Sequence, residues 1–111
     1  MAAILQNVDL ASGINTALYS SSAGIDTTAN IRIVNRNSVT VTVSLAIVSA
    51  ADEQTALANL SVSDYFEFDA PIAANDILEN SGIAIPENHV VIVSASSNNV
   101  NAIIYGFAQS A

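Results

Sequence analysis

Between Asn30 and Val48 the chain reads NIRIVNRNSVTVTVSLAIV, and this periodicity leaves few folds open. Ile31 and Ile33 alternate with Arg32 and Val34. Beyond Asn35-Arg36-Asn37-Ser38, the residues Val39, Val41, Val43, Leu45 and Ile47 alternate with Thr40, Thr42, Ser44 and Ala46. A period of two with β-branched residues sends successive side chains to opposite faces of a strand, and an Asn/Ser cluster breaks it where a turn belongs. The expected product is a hairpin of two half-buried strands, its aliphatic face inside and its Thr/Ser face toward water or a partner. Both basic residues of the chain, Arg32 and Arg36, lie within it.

The rest of the sequence continues in the same style. Turn signals recur at Ser12-Gly13, Ala23-Gly24, Pro71, Asn75-Asp76, Ser81-Gly82, Pro86-Glu87-Asn88 and Ser96 to Asn99, with short apolar runs between them. Strands are expected near Ala3–Val8, Thr16–Ser20, Thr28–Asn35, Val39–Val48, Asp64–Asp69, Asp76–Ile83, His89–Ser94 and Val100–Phe107. About eight short strands at this spacing predict an all-β, single-domain β-sandwich over 1–111, antiparallel and jelly-roll-like. The exception is Ser49 to Ser63, where Ser49 followed by Asp52 resembles a capping box and several alanines favour a short helix. The four glycines read as turn and strand-end positions.

Composition narrows the function. The 111 residues suffice for one domain, and without Trp the core must be built from Val, Ile, Leu and Ala. Ten acids against two bases give a net charge of −8, which disfavours nucleic acid and anionic lipid as partners, since affinity for phosphate comes from Lys and Arg. No apolar run approaches the roughly 20 residues of a spanning helix. Met1–Gln6 lacks the basic segment of a secretory leader, so none is expected. Absence of Cys removes disulfides, thiol catalysis and Cys-based metal sites. Charged residues make up 11% against about 25% in an average domain, which suits a surface covered by partners.

Few residues offer chemistry. Glu67 and Asp69, two apart on a strand with Tyr65, would share a face and form a carboxylate pair suited to acid–base work, opposite Phe66 and Phe68. Asn75, Asp76, Glu79 and Asn80 supply oxygen donors of the kind that hold Ca²⁺, though no calcium-loop motif is present. His89 is the one histidine, without Cys or a nucleophile elbow beside it. Solvated strand faces, turn chemistry and an ordinary strand-edge histidine account for these positions, so neither an enzyme nor a cofactor or metal site is expected. Tyr19, Tyr65 and Tyr105 are the only candidate platforms for a glycan. Arg32 and Arg36 are the candidate interface anchors, Arg being enriched at binding hot spots; Asp64 and Glu67 complete the candidate interface set.

In order and spacing, Asn30–Asn37, Ser63–Asp69, Ile72–Glu79 running into Ser81-Gly82-Ile83, Val91–Ser94 and Tyr105-Gly106-Phe107 resemble small virion structural proteins of tailed bacteriophages of marine and cyanobacterial hosts. With the Ile4–Val8 start, the resemblance covers most of the chain. It implies a β-sandwich component of the particle, foremost a capsid decoration (cement) protein. Such a protein assembles in the host cytoplasm and works on the capsid surface, with the major capsid protein or another virion protein as partner. A homo-oligomer, trimer or dimer, goes with it. Tail, neck or fibre components and a glycan-binding β-sandwich module are the alternatives. The Ser49–Ser63 segment is longer than the resemblance leads one to expect, and a particle-specific contact there would explain it.

Overall fold

The computed structural model describes residues 1–111 and consists of eight strands and one helix: β1 (Ala2–Leu10), β2 (Thr16–Ser21), β3 (Ile25–Asn35), β4 (Val41–Ser49), α1 (Glu53–Asn59), β5 (Tyr65–Ile72), β6 (Ile77–Ile85), β7 (His89–Ala95) and β8 (Val100–Ser110). Two antiparallel four-stranded sheets face each other, in the orders β1-β8-β3-β6 and β2-β7-β4-β5. This is the strand order of a jelly roll. Along β3 the odd residues Thr27, Ala29, Ile31, Ile33 and Asn35 are buried between the sheets. The even residues Val100, Ala102 and Ile104 of β8 meet them there. Val41, Val43, Leu45, Val91 and Val93 close the core from the opposite sheet.

The expected hairpin at Asn30–Val48 does not form. β3 bonds to β6 and β8, whereas β4 bonds to β5 and β7, so Asn35–Thr40 carries the chain from one sheet to the other. Alternation reports which face a residue takes and is blind to the partner strand, so a sheet-switching crossover and a tight turn read alike. The only consecutive strands that pair are β4 and β5, with α1 between them. Val39, expected in the core, falls in the crossover and is 63% exposed.

Asn35 makes the crossover. Its side chain is fully buried, and Nδ2 donates to the carbonyls of Val39 at 2.9 Å and of Ile72 and Ala73 at 3.1 Å each. Its Oδ1 accepts from the Asn37 backbone N–H at 2.9 Å and from Asn37 Nδ2 at 3.0 Å. Val39 lies on the β3–β4 passage and Ala73 on the β5–β6 passage, so one amide fastens two places where the chain changes sheet. The backbone repeats the link: Asn35 N–H donates to the Asp76 carbonyl and Asn75 N–H to that of Asn37.

Part of the outer face of the β2-β7-β4-β5 sheet, where the Thr/Ser alternation predicts contact with water or a partner, is covered by the chain itself. Val48, Ala50, Val90 and Ile92 form a second apolar cluster beneath Ala56 of α1, whose methyl side chain lets the helix approach closely. The helix begins at Asp52, which accepts from Thr55 N–H at 2.8 Å; Ser49 takes no part. The capping box lies further on, where Ser61 and Asp64 cap a 3-10 turn over Val62–Asp64. The Ser49–Ser63 segment thus lays part of its length on its own sheet.

Bulges account for other departures. At Asp69 the backbone is left-handed (φ 47°), the β4–β5 register shifts, and Asp69 N–H donates to the buried Ser44 Oγ at 3.0 Å. The alternation that would place Glu67 and Asp69 on one face stops there. Phe66 and Phe68 point outward, Phe68 63% exposed, while Ala70 and Ile72 turn in. Gly82 (φ 66°) marks a bulge inside β6 rather than a turn. Gly106 lies within β8, where an added Cβ would come within 2.2 Å of the Thr28 carbonyl oxygen and 2.7 Å of Ala29 Cα.

Two substitutions test these constraints. Asn35→Asp keeps the shape but removes the donor to three carbonyls, that of Ile72 in a buried bond, and should cost about 1–3 kcal/mol, the range for an unsatisfied buried group. A urea midpoint indistinguishable from wild type would refute the assignment. Gly106→Ala forces a methyl onto β3 backbone and should cost about 1–3 kcal/mol in the same assay; a neutral result would mean that the β3–β8 approach relaxes freely.

Candidate functional site

With α1 lying on one sheet, the outer face of the β1-β8-β3-β6 sheet is the one that no helix or strand covers. Cross-strand register arranges its side chains in rows. Asp9, Asn101, Val34 and Ile77 form one, Asn7, Ile103, Arg32 and Glu79 the next, then Leu5, Tyr105 and Asn30, then Ala3, Phe107 and Thr28. Leu5 is 70% exposed, Phe107 55% and Ile77 43%, and Val34 and Ile103 lie half-buried between them.

Two polar clamps lace this face. Arg36, just past the end of β3, reaches across β8 to β1: its Nε donates to Asn101 Oδ1 at 3.0 Å and a terminal nitrogen to Asp9 Oδ1 at 2.9 Å. Arg32 donates to Glu79 Oε1 at 3.2 Å on β6, and the Tyr105 hydroxyl on β8 donates to Glu79 Oε2 at 2.5 Å, spanning three strands. The hydrogen bond from Tyr105, and then that from Arg32, holds the Glu79 carboxyl below its ordinary 4.5. The same bond to Glu79 pushes the Tyr105 hydroxyl above 10.0, because losing its proton would set two negative charges together. Arg32 Nε is shielded and has no acceptor, so the guanidinium stem lies down among its neighbours.

The charge distribution sets this face apart. By register it carries Asp9, Asp26 and Glu79 against Arg32 and Arg36, which leaves it one unit negative. The other seven acids put seven of the chain's eight negative units elsewhere. The uncovered face is therefore nearly neutral and partly apolar on an acidic molecule.

The remaining candidates are dispersed. Arg32 and Arg36 find carboxylates of their own chain, while Asp64 caps the 3-10 turn and Glu67, half-buried, accepts from Asn80 Nδ2 at 3.3 Å across the sandwich edge. Asp64 and Glu67 thus lie with the opposite sheet from the arginines. Asp76 accepts from Ile77 N–H, Glu79 faces out and Asn80 faces in, so the oxygen donors of that segment do not converge. His89 Nδ1 lies 2.9 Å from the Glu87 carbonyl and closes the turn into β7. Tyr19 is buried with its hydroxyl 2.8 Å from Thr27 Oγ1, and Tyr65 packs edge-on against Phe68 at 5.0 Å, so neither is a free platform. A cleft of about 550 Å³ opens at the β1–β8–β3 end, with Ile4, Asn30, Tyr105, Phe107 and Gln109 among its lining. No helix is long and apolar enough to cross a membrane. No family model, curated protein or solved structure matches the chain.

The Glu79 clamp has a signed pH dependence. A carboxyl held below 4.5 contributes stability that is present above that value and lost as pH falls through its folded-state value. A tyrosine raised above 10.0 contributes stability that is present below that value and lost as pH rises through its folded-state value. The gap in melting temperature between wild type and Glu79→Gln should be widest between about pH 5 and pH 10 and narrow at both ends. A gap that stays constant from acid to alkali would rule the clamp out.

Proposed function

We propose that this chain is a structural subunit of a tailed-phage virion, a capsid decoration protein that stabilises the head shell by binding the major capsid protein at many repeated sites. The observation that carries this reading is the uncovered β1-β8-β3-β6 face, with Leu5, Ile77 and Phe107 set among two ion pairs made within the chain. Exposed apolar side chains interspersed with polar groups make the kind of surface that proteins bury against one another. Its near-neutral charge spares a contact through this face the repulsion that the seven acids elsewhere on the chain would bring to an acidic partner.

Two further points support the reading. The sequence resembles phage virion proteins over Asn30–Asn37, Ser63–Asp69 and Tyr105–Phe107. The jelly roll is an architecture that serves viral capsid and lectin domains, although a fold by itself carries no function. Cementing a shell needs buried area repeated over a lattice rather than reactive groups, and multivalency makes weak single contacts sufficient. The cleft beside Tyr105 and Phe107 favours one second reading, a glycan-binding module, because the exposed Phe107 ring and the half-buried Tyr105 ring beside the Asn30 and Gln109 amides suit a sugar.

Purified protein added to particles that lack it should appear by cryo-electron microscopy as ordered density on the shell. The Ile77→Ser/Phe107→Ser double variant, altered only at exposed positions, should melt within about 3 °C of wild type yet lose at least tenfold in shell occupancy. Density confined to neck, tail or fibres moves the protein there, and no density anywhere sinks the virion reading. Binding to a glycan array that Phe107→Ser abolishes would promote the second.

A further inference from the structure

Exposed sheet edges carry unpaired backbone groups, and proteins blunt them with bulges, proline or lysine. Three of the four edge strands here are blunted. The pairing of β2 shifts register between Ala17 and Tyr19. β5 is bulged at Asp69 and carries Pro71, and β6 is bulged at Gly82. β1 is different: it pairs with β8 without a shift from Ala2↔Ala108 to Leu10↔Val100, over nine residues. It holds no Pro, Gly, Lys or Arg, and its single charge is Asp9, one residue from the end.

We infer that the free edge of β1 pairs antiparallel with β1 of a second copy, joining the two β1-β8-β3-β6 sheets into one of eight strands. The register that uses the whole strand centres its twofold axis on Gln6. It sets Ile4 opposite Val8 of the second copy on the inner face, where both are half-buried against the core, and so prolongs the core across the junction. On the outer face Leu5 meets Asn7, and Asp9 meets Ala3, so no charge faces its like. That matters on a chain of net charge −8, whose copies repel one another overall. A nine-residue edge is about 30 Å long and supplies roughly nine inter-chain hydrogen bonds. The inference stands on the edge geometry alone and holds whether or not the protein works in a virion.

Sedimentation equilibrium from micromolar to millimolar protein should show a reversible transition to twice the 11.4 kDa monomer mass. Leu5→Lys/Asn7→Lys, exposed positions that face one another across the axis, should stay monomeric throughout. Hydrogen exchange on the wild type gives a readout independent of that variant's folding. Every second amide between Ala3 and Asp9, those pointing away from β8, should gain protection as concentration rises, and their neighbours should not. Wild type that is monomeric at millimolar concentration, or a dimer whose outward β1 amides exchange unchanged, overturns the inference.

Discussion

The Asn35 carboxamide, buried where β3 ends, bonds three carbonyls and two Asn37 donors at the place where the chain passes between sheets. Everything about the sandwich that depends on the order of its sheets passes near this group. A jelly roll needs the chain to change sheets repeatedly, and each change strands backbone groups between two ladders. Left dry and unpaired, each such group costs free energy comparable to a lost hydrogen bond. One amide at the meeting of the β3–β4 and β5–β6 passages removes several of those costs together, and it does so only if β3, β4, β5 and β6 lie where they do. Burying it therefore favours this topology over others that would bury the same aliphatic residues equally well.

Much of this architecture is legible in the residues. The alternations of Ile31, Ile33 and of Val41, Val43, Leu45 identify strands and their inner faces, and all eight strands fall where short apolar runs separate turn signals. Asn35 was itself readable, since the odd-numbered series Thr27, Ala29, Ile31, Ile33 runs into it and places a polar group inside. What the pattern cannot carry is pairing, which depends on residues far apart in the chain. A left-handed Asp69 that shifts β5 by one residue is equally hidden, and with it the outward turn of Phe66 and Phe68. Gly106 looked like a strand end because its constraint comes from the β3 backbone rather than from its own torsions. The uncovered face was legible in part: Arg32 could be placed opposite the isoleucines, but Glu79 and Tyr105, which engage it, come from strands whose neighbours only the topology reveals.

The two arginines show how scarce charge can be used. Each belongs to a clamp that spans three strands, and together they consume the cationic side chains of the chain on one face. The effect is to neutralise that face while the clamps hold its strands in register, leaving Leu5, Ile77 and Phe107 on a backing with little freedom to rearrange. A surface that is rigid before contact loses less conformational entropy on contact. Sheet order, ion pairs and exposed apolar side chains thus belong to one line of causation, from the crossovers to the face they create.

The segment that carries α1 joins the only two consecutive strands that lie side by side in one sheet. Every other connection must span the gap between layers, which ties its length to the thickness of the sandwich. The β4–β5 link has no such tie. It is the point at which the fold can grow, accepting added residues beyond the helix, around Ser61 and Val62, without re-routing any strand. It cannot shrink as freely, because Ala56 roofs Val48, Val90 and Ile92, and cutting back past it would bare them. The molecule is open to extension there and closed to deletion, an asymmetry that makes this link the natural place to graft a foreign peptide for display.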